Sequence, residues 1–233
     1  MGRSKDIASG TFTTALDVQG AITSDGLTVD TSDQVIINHS GDAGGLRIDS
    51  TNNTNTGSIR FGDVADNYIG AVEYNHTTDA LSFYANNATH MTIDSSGRVT
   101  MPSQPSFGVY RNAGAVTANN VYVFNGYDYN TGTMYNTSNG RGTAPVAGRY
   151  FVSTWMMCET NQEYTNYNYH IRKNGTTYKS VYSSNGGSGR HMQWSWAGTM
   201  GLATNDYIDI FTNNIRLYGS SHLYSAFCMH LLS

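Results

Sequence analysis

Gly140-Arg141-Gly142-Thr143-Ala144-Pro145-Val146-Ala147-Gly148-Arg149-Tyr150-Phe151 reads as a turn feeding a strand. Pro145 has a fixed φ and no N–H to give to a ladder, so it belongs ahead of one, while Gly148 can take the positive φ of a tight turn. This predicts a strand from about Arg149. The chain continues Tyr150-Phe151-Val152-Ser153-Thr154-Trp155-Met156-Met157, rich in the aromatic and β-branched types that suit a pleated, half-buried surface. It reads as a central strand.

Three further stretches follow: Arg172-Lys173-Asn174-Gly175, the run Leu202 to Ile210, and Tyr224-Ser225-Ala226-Phe227. In order and spacing the four resemble the trimeric jelly roll of the complement component 1q globular head and the tumour necrosis factor superfamily. The resemblance covers roughly Phe107 to Ser233 and implies an antiparallel jelly-roll β-sandwich that forms a homotrimer. Gly142 departs from it, standing where the family usually has Phe, and Asn205 and Ala226 each replace a Gly.

The last strand points Leu223, Phe227, Met229 and Leu231 one way and Tyr224, Ala226, Cys228 and Leu232 the other. A strand with one solvated face should alternate apolar with polar, so two apolar faces require a cover for the second. In the family that cover is the neighbouring subunit. Tyr buries area at an interface while its hydroxyl keeps a partner, so among the 17 Tyr the interface candidates are Tyr110, Tyr122, Tyr167, Tyr169 and Tyr224.

Ahead of the head, Thr11 to Met101 is a procession of short strand candidates separated by Gly, Asn, Asp and Ser. They include Ala15–Val18, Leu27–Val29, Val35–Ile37, Leu46–Ile48, Ser58–Phe61, Tyr68–Val72, Leu81–Tyr84, Met91–Ile93 and Val99–Met101. Such spacing signals all-β structure, and the echo between Leu46–Ser50 and Met91–Ser95 hints at repeated units. Each strand offers only one or two large apolar side chains per face, a core that three chains wound together could complete. The run Ile93 to Val99 resembles the trimeric β-stalks of bacteriophage tail fibres. Pro102 and Pro105 end this pattern, giving an anchor at 1–10, a stalk at 11–101, a linker at 102–106 and a head at 107–233.

Composition narrows the function. Only 13% of residues are charged, against about 25% in an average chain, and the net charge is −4. No basic patch is available for phosphate, so nucleic acid and anionic membranes are not expected partners. No run approaches the length of a membrane span, and Met1-Gly2-Arg3-Ser4-Lys5-Asp6 leads into no apolar leader core, which reads as a product made in the cytoplasm. Cys158 and Cys228 fall among apolar neighbours and read as buried, reduced thiols.

His170, His191, His222 and His230 lack zinc-ligand spacing, and no dense Asp cluster marks a calcium loop, so neither a metal nor another cofactor is assigned. Glu73, Glu159, Glu163, Asp206 and Asp209 cannot be paired across a cleft as glycosidase chemistry needs, so no enzyme is expected. The sequons at Asn38, Asn75, Asn87, Asn136 and Asn174 read as turn composition.

The resulting expectation is a trimeric virion appendage, a phage tail fibre, docked through its N-terminus to a tail or capsid protein and binding a host-surface glycan or protein receptor. The alternatives are a capsid-decorating spike without a receptor, and a cellular complement-like or cytokine-like trimeric lectin. By the resemblance, the stalk joins the base of the head, so the far loops near Asn112–Asn119, Asn174–Tyr178, Leu202–Asp206 and Tyr218–His222 would form the tip. There Asn174, Asn205 and Asp206 would hydrogen-bond sugar hydroxyls, and Tyr178, Tyr218 and His222 would offer flat faces to sugar rings.

Overall fold

Turn residues cut the chain into strands, and the strands pair mostly with sequence neighbours. A computed structural model describes Ile48 and residues 54–158, 167–183, 191–219 and 223–233, without the side chains of Tyr167 and Ser183. Two compact units divide the chain at Asp49/Ser50, and of the first only Ile48 is described. The expected anchor at 1–10 and the strand candidates before Leu46 therefore lie outside the described residues. No helix occurs among the described residues.

Five strands form the first sheet: β1 (Thr56–Phe61), β2 (Gly70–Asn75), β3 (Ala80–Ala85), β4 (Ala88–Ile93) and β5 (Val99–Thr100). They pair in chain order as an antiparallel meander. The expected strand at Tyr68 starts later, because Asp66 accepts the Tyr68 N–H at 2.9 Å and holds it in the preceding turn. These strands pair with one another within one chain.

The other ten described strands make two stacked sheets. One has the order β13 (Gln193–Leu202), β10 (Gly148–Met157), β15 (Ser225–Leu231), β6 (Ser106–Tyr110), β7 (Gly126–Thr131). The second runs β12 (Thr176–Ser183), β11 (Tyr167–Lys173), β14 (Tyr207–Asn213), β9 (Arg141–Thr143), β8 (Tyr135–Asn136). Non-consecutive neighbours in both sheets are the mark of a jelly roll, and all the pairings are antiparallel. β10 is central, as its composition predicts.

The opening turn is built differently at its end. Gly148 is the first residue of β10 and does not carry a positive φ. It must be Gly because a Cβ there would stand 2.6 Å from the Ser233 carbonyl oxygen. The positive φ falls on Gly140 instead, at the start of the stretch.

Aromatic rings fill the core between the two sheets. Phe107 meets Phe227 edge to face at 4.9 Å, and Tyr122 meets Phe124 in the same way at 4.9 Å. Tyr150, Tyr169, Ile171, Ile208 and Met229 complete it, all fully buried. β15 sends Ser225, Phe227 and Met229 inward, while Leu223 and Leu232 lie just outside the strand and are exposed in the single chain.

Candidate functional site

Strand register assigns the loops to two ends. Ser106 pairs with His230, Gly148 with Leu202, and Lys173 with Ile208, so the start of β6, the end of β15 and the β11–β12 and β13–β14 turns lie together. The Pro105 carbonyl accepts the Leu231 N–H at 3.0 Å and the Ser233 carbonyl accepts the Arg149 N–H at 2.7 Å, placing the linker and the C-terminus at this same base. The opposite end holds the close of β6 and β10 and the start of β13 and β15, with Tyr218.

This splits the expected tip. Asn174, Asn205 and Asp206 sit at the base, because the chain crosses each strand once between turns and the β11–β12 and β13–β14 turns both fall where β6 begins. Asn174 and Asp206 are also bonded to each other. Asn174 Nδ2 donates to Asp206 Oδ1 at 2.7 Å, and its Oδ1 accepts the Tyr207 N–H at 2.9 Å. Asp206 also accepts the Ala203 N–H at 2.8 Å and pairs with Lys173 Nζ at 2.8 Å. These donors hold the Asp206 carboxyl down at about 2, the Lys173 hydrogen bond being the largest cause. Asn174 and Asn205 have φ of 52° and 69°, the left-handed conformation that Asn tolerates in turns.

Tyr178 is exposed on β12, the edge strand of the second sheet. Tyr218 is at the distal end, half-buried between His191 and Tyr224, with ring centroids 5.4 and 4.9 Å away. His222 lies outside the described residues.

Two interface candidates are in the core instead. Tyr122 and Tyr169 are fully buried, the first donating its hydroxyl to the Tyr218 carbonyl at 2.7 Å and the second sharing a 2.8 Å hydrogen bond with Thr154. Burial pushes both phenols up to about 12. Neither has a face left for a neighbour. Tyr110 is half-buried on the outer face of β6, Tyr224 precedes β15, and the Tyr167 side chain is outside the description.

The second apolar face that sequence reasoning gave the last strand, and Tyr110 beside it, belong to a wider surface that it did not trace, the outer face of the β10 sheet. Three rows cross it in register: Thr199, Phe151, His230, Ser106; then Ala197, Ser153, Cys228, Gly108; then Ser195, Trp155, Ala226, Tyr110. No row contains Asp, Glu, Lys or Arg. Tyr129 extends the middle row, its hydroxyl 2.8 Å from His230 Nε2. Burial lowers the His230 pKa. The signal lay in β13, Gln193-Trp-Ser-Trp-Ala-Gly-Thr-Met-Gly-Leu202, whose positions between core residues are Ser, Ala and Thr where a solvated strand carries Lys or Glu.

The outer face of the second sheet differs. There Arg172 forms a bidentate pair with the buried Asp209, at 2.6 and 2.8 Å, and lies 4.3 Å over the Phe211 ring, while Arg141 lies 4.0 Å over Tyr207. That face is finished with charge.

Neither thiol is in a disulfide: Cys158 is buried, and Cys228 is half-buried on the uncharged face with its Sγ 2.9 Å from Ser153 Oγ. Burial pushes the Cys158 thiol up. Among the described residues, no three His, Cys, Asp or Glu side chains gather as metal ligands.

A family model described as C1q domain matches residues 106–232. The chain belongs to the C1q domain family. Solved structures similar to it include the globular domain of zebrafish complement 1qA protein, 18% identical with a TM-score of 0.47, covering 56% of this chain and 98% of that one. Another is Eiger TNF from S. frugiperda, 10% identical with a TM-score of 0.47, covering 56% and 94%. Murine APRIL is 12% identical with a TM-score of 0.43, covering 55% and 98%. No curated protein matches the chain. None of these findings points to a phage tail fibre, so that expectation rests on the N-terminal sequence pattern alone, and the complement-like or cytokine-like alternative is compatible with the C1q domain.

Proposed function

We propose that this protein is a subunit of a homotrimeric, non-enzymatic recognition protein that uses its C1q head to bind a ligand on a cell surface, as a complement-like or cytokine-like protein would. One observation carries the reading: the outer face of the β10 sheet is apolar, aromatic and uncharged across three rows, the depletion of charge that marks the buried core of an interface. Membership of the C1q domain family supports threefold closure of that face. Light scattering of the full chain should give three times 25.4 kDa, about 76 kDa. A Trp155→Glu chain, with a charge in the third row, should run as a folded monomer. A folded monomer from the unaltered chain would end this reading.

A second reading, a virion appendage presenting the same head, is favoured by the β1–β5 sheet that precedes it and by the Ile93 to Val99 run. Binding of the purified trimer to a glycan array and to animal and bacterial cells separates the two: adsorption to bacteria alone supports the virion, and binding to animal cells or their glycans supports the first reading.

A further inference from the structure

The β1–β5 sheet has two very different faces, and register says which residue is on which. On one side Ile59, Val72, Phe83 and Met91 stand in one row, and Tyr74, Leu81, Ile93 and Val99 in another. On the other side the matching rows are Ser58, Glu73, Ser82, Thr92, Thr100 and Arg60, Ala71, Tyr84, Thr89.

The polar face is complete in one chain. Glu73 accepts the Tyr68 hydroxyl at 2.9 Å and the Tyr84 hydroxyl at 3.4 Å, and Arg60 lies 4.7 Å over the Tyr68 ring. Ala71 beneath them is 2% exposed. Among the described residues the apolar face is finished in this way only at Tyr74, whose hydroxyl donates to Asp79 at 3.1 Å, while Phe61 is 58% exposed, Val99 53% and Ile59 45%.

We propose that this face is the inner wall of a closed prism, in which the β1–β5 sheets of three copies of this chain meet on one axis. The inference rests on the trimeric reading of the head. At about 4.8 Å per strand and 3.3 Å per residue, the four six-residue strands and the two-residue β5 make a wall roughly 24 Å wide at its widest and about 410 Å² in area. An exposed apolar patch of that size is often functional. Three such walls remove about 1,200 Å² from water, the lower end of the range of a stable protein interface. Walls about 24 Å wide stand about 7 Å from the axis of an equilateral prism, somewhat more than half the ~10 Å spacing of packed sheets, which the large rings of Phe83, Tyr74 and Phe61 suit.

The chain's own connectivity favours copies of itself over a foreign partner. Only residues 101–105 separate β5 from β6, a reach of at most ~17 Å. Ser106, the first residue of β6, is already in the uncharged row with His230 and Phe151. Heads assembled through that face therefore hold three sheets at a local concentration in the millimolar range. Met101, in the linker, is exposed as well.

Thiol labelling of the full chain tests this, with peptide mass mapping to separate each introduced reporter from Cys158 and Cys228. Phe83→Cys and, independently, Ile59→Cys place a reporter on the apolar face, and Ser82→Cys places one on the polar face. In the native trimer the first two should react with a maleimide more than about tenfold slower than the third. Adding Trp155→Glu, which separates the heads, should restore fast labelling. If the chain has trimer mass yet the thiols introduced at positions 83 and 59 label as fast as the one at position 82, the prism is wrong and the head trimer stands. If both stay protected in the monomeric Trp155→Glu chain, a segment of the same chain covers the face and the prism is again wrong. If the unaltered chain is a monomer, the reading beneath the inference fails first.

Discussion

Gly142 is the departure from the family pattern that the structure explains most directly. A Cβ there would lie 2.5 Å from the Phe107 ring, and that ring is wedged against Phe227 at 4.9 Å and Tyr135 at 5.2 Å. The space of a ring at position 142 has been given to Phe107, so Gly is what remains possible. Gly142→Ala should cost about 1–3 kcal/mol, read as a lower denaturant midpoint at unchanged slope. Asn205, another departure, has φ of 69°, a conformation that Gly adopts freely. Asn205→Gly should therefore be nearly neutral, whereas Asn205→Ala should cost about 1 kcal/mol by forcing Cβ into that region.

Elements were legible where composition and periodicity agree. β10 announced itself through Tyr150 to Met157, and β1, β3 and β4 through short alternating runs bounded by Asn and Gly. What escaped was which face of a strand is covered by its own chain. Tyr122 and Tyr169 look like interface residues because Tyr suits both settings, and only the fold reveals that their hydroxyls are satisfied inside. His230 shows the converse, a titratable group in a row without Asp, Glu, Lys or Arg. Its nearest partners are Tyr129 on β7, Phe151 on β10 and Ser106 on β6, none of them charged at neutral pH. Burial favours the neutral ring, so the unfolded chain takes up the proton first as pH falls. Its stabilisation is complete above about 6.5 and is lost as pH falls through the lowered folded value. The melting temperature should therefore fall as pH drops below about 6.5, and His230→Gln should lessen that fall, leaving the share of His170, whose pKa burial also lowers. An unchanged slope in His230→Gln would assign the acid sensitivity elsewhere.

At the scale of the whole molecule, the ends of the jelly roll decide where a ligand can be met. Motif order alone could not sort the loops, because a turn such as Asn174-Gly175 has the same sequence at either end of a sandwich, and only strand parity fixes its side. The base receives the linker through Pro105 and the C-terminus through Ser233, and its polar side chains are spent on one another, Lys173 and Asn174 on Asp206. A ligand would have to break those bonds to use them. The distal end and the β12 edge keep aromatic surface available, with the half-buried Tyr218 beside Tyr224 and the exposed Tyr178. Asn174→Ala should lower the melting temperature, because it removes a hydrogen bond to a carboxylate and a left-handed Asn together, and should leave surface binding per folded trimer unchanged. Tyr178→Ala and Tyr218→Ala should do the reverse, weakening adsorption in a binding isotherm while trimer mass is retained. Loss of binding in Asn174→Ala at full trimer content would return recognition to the base.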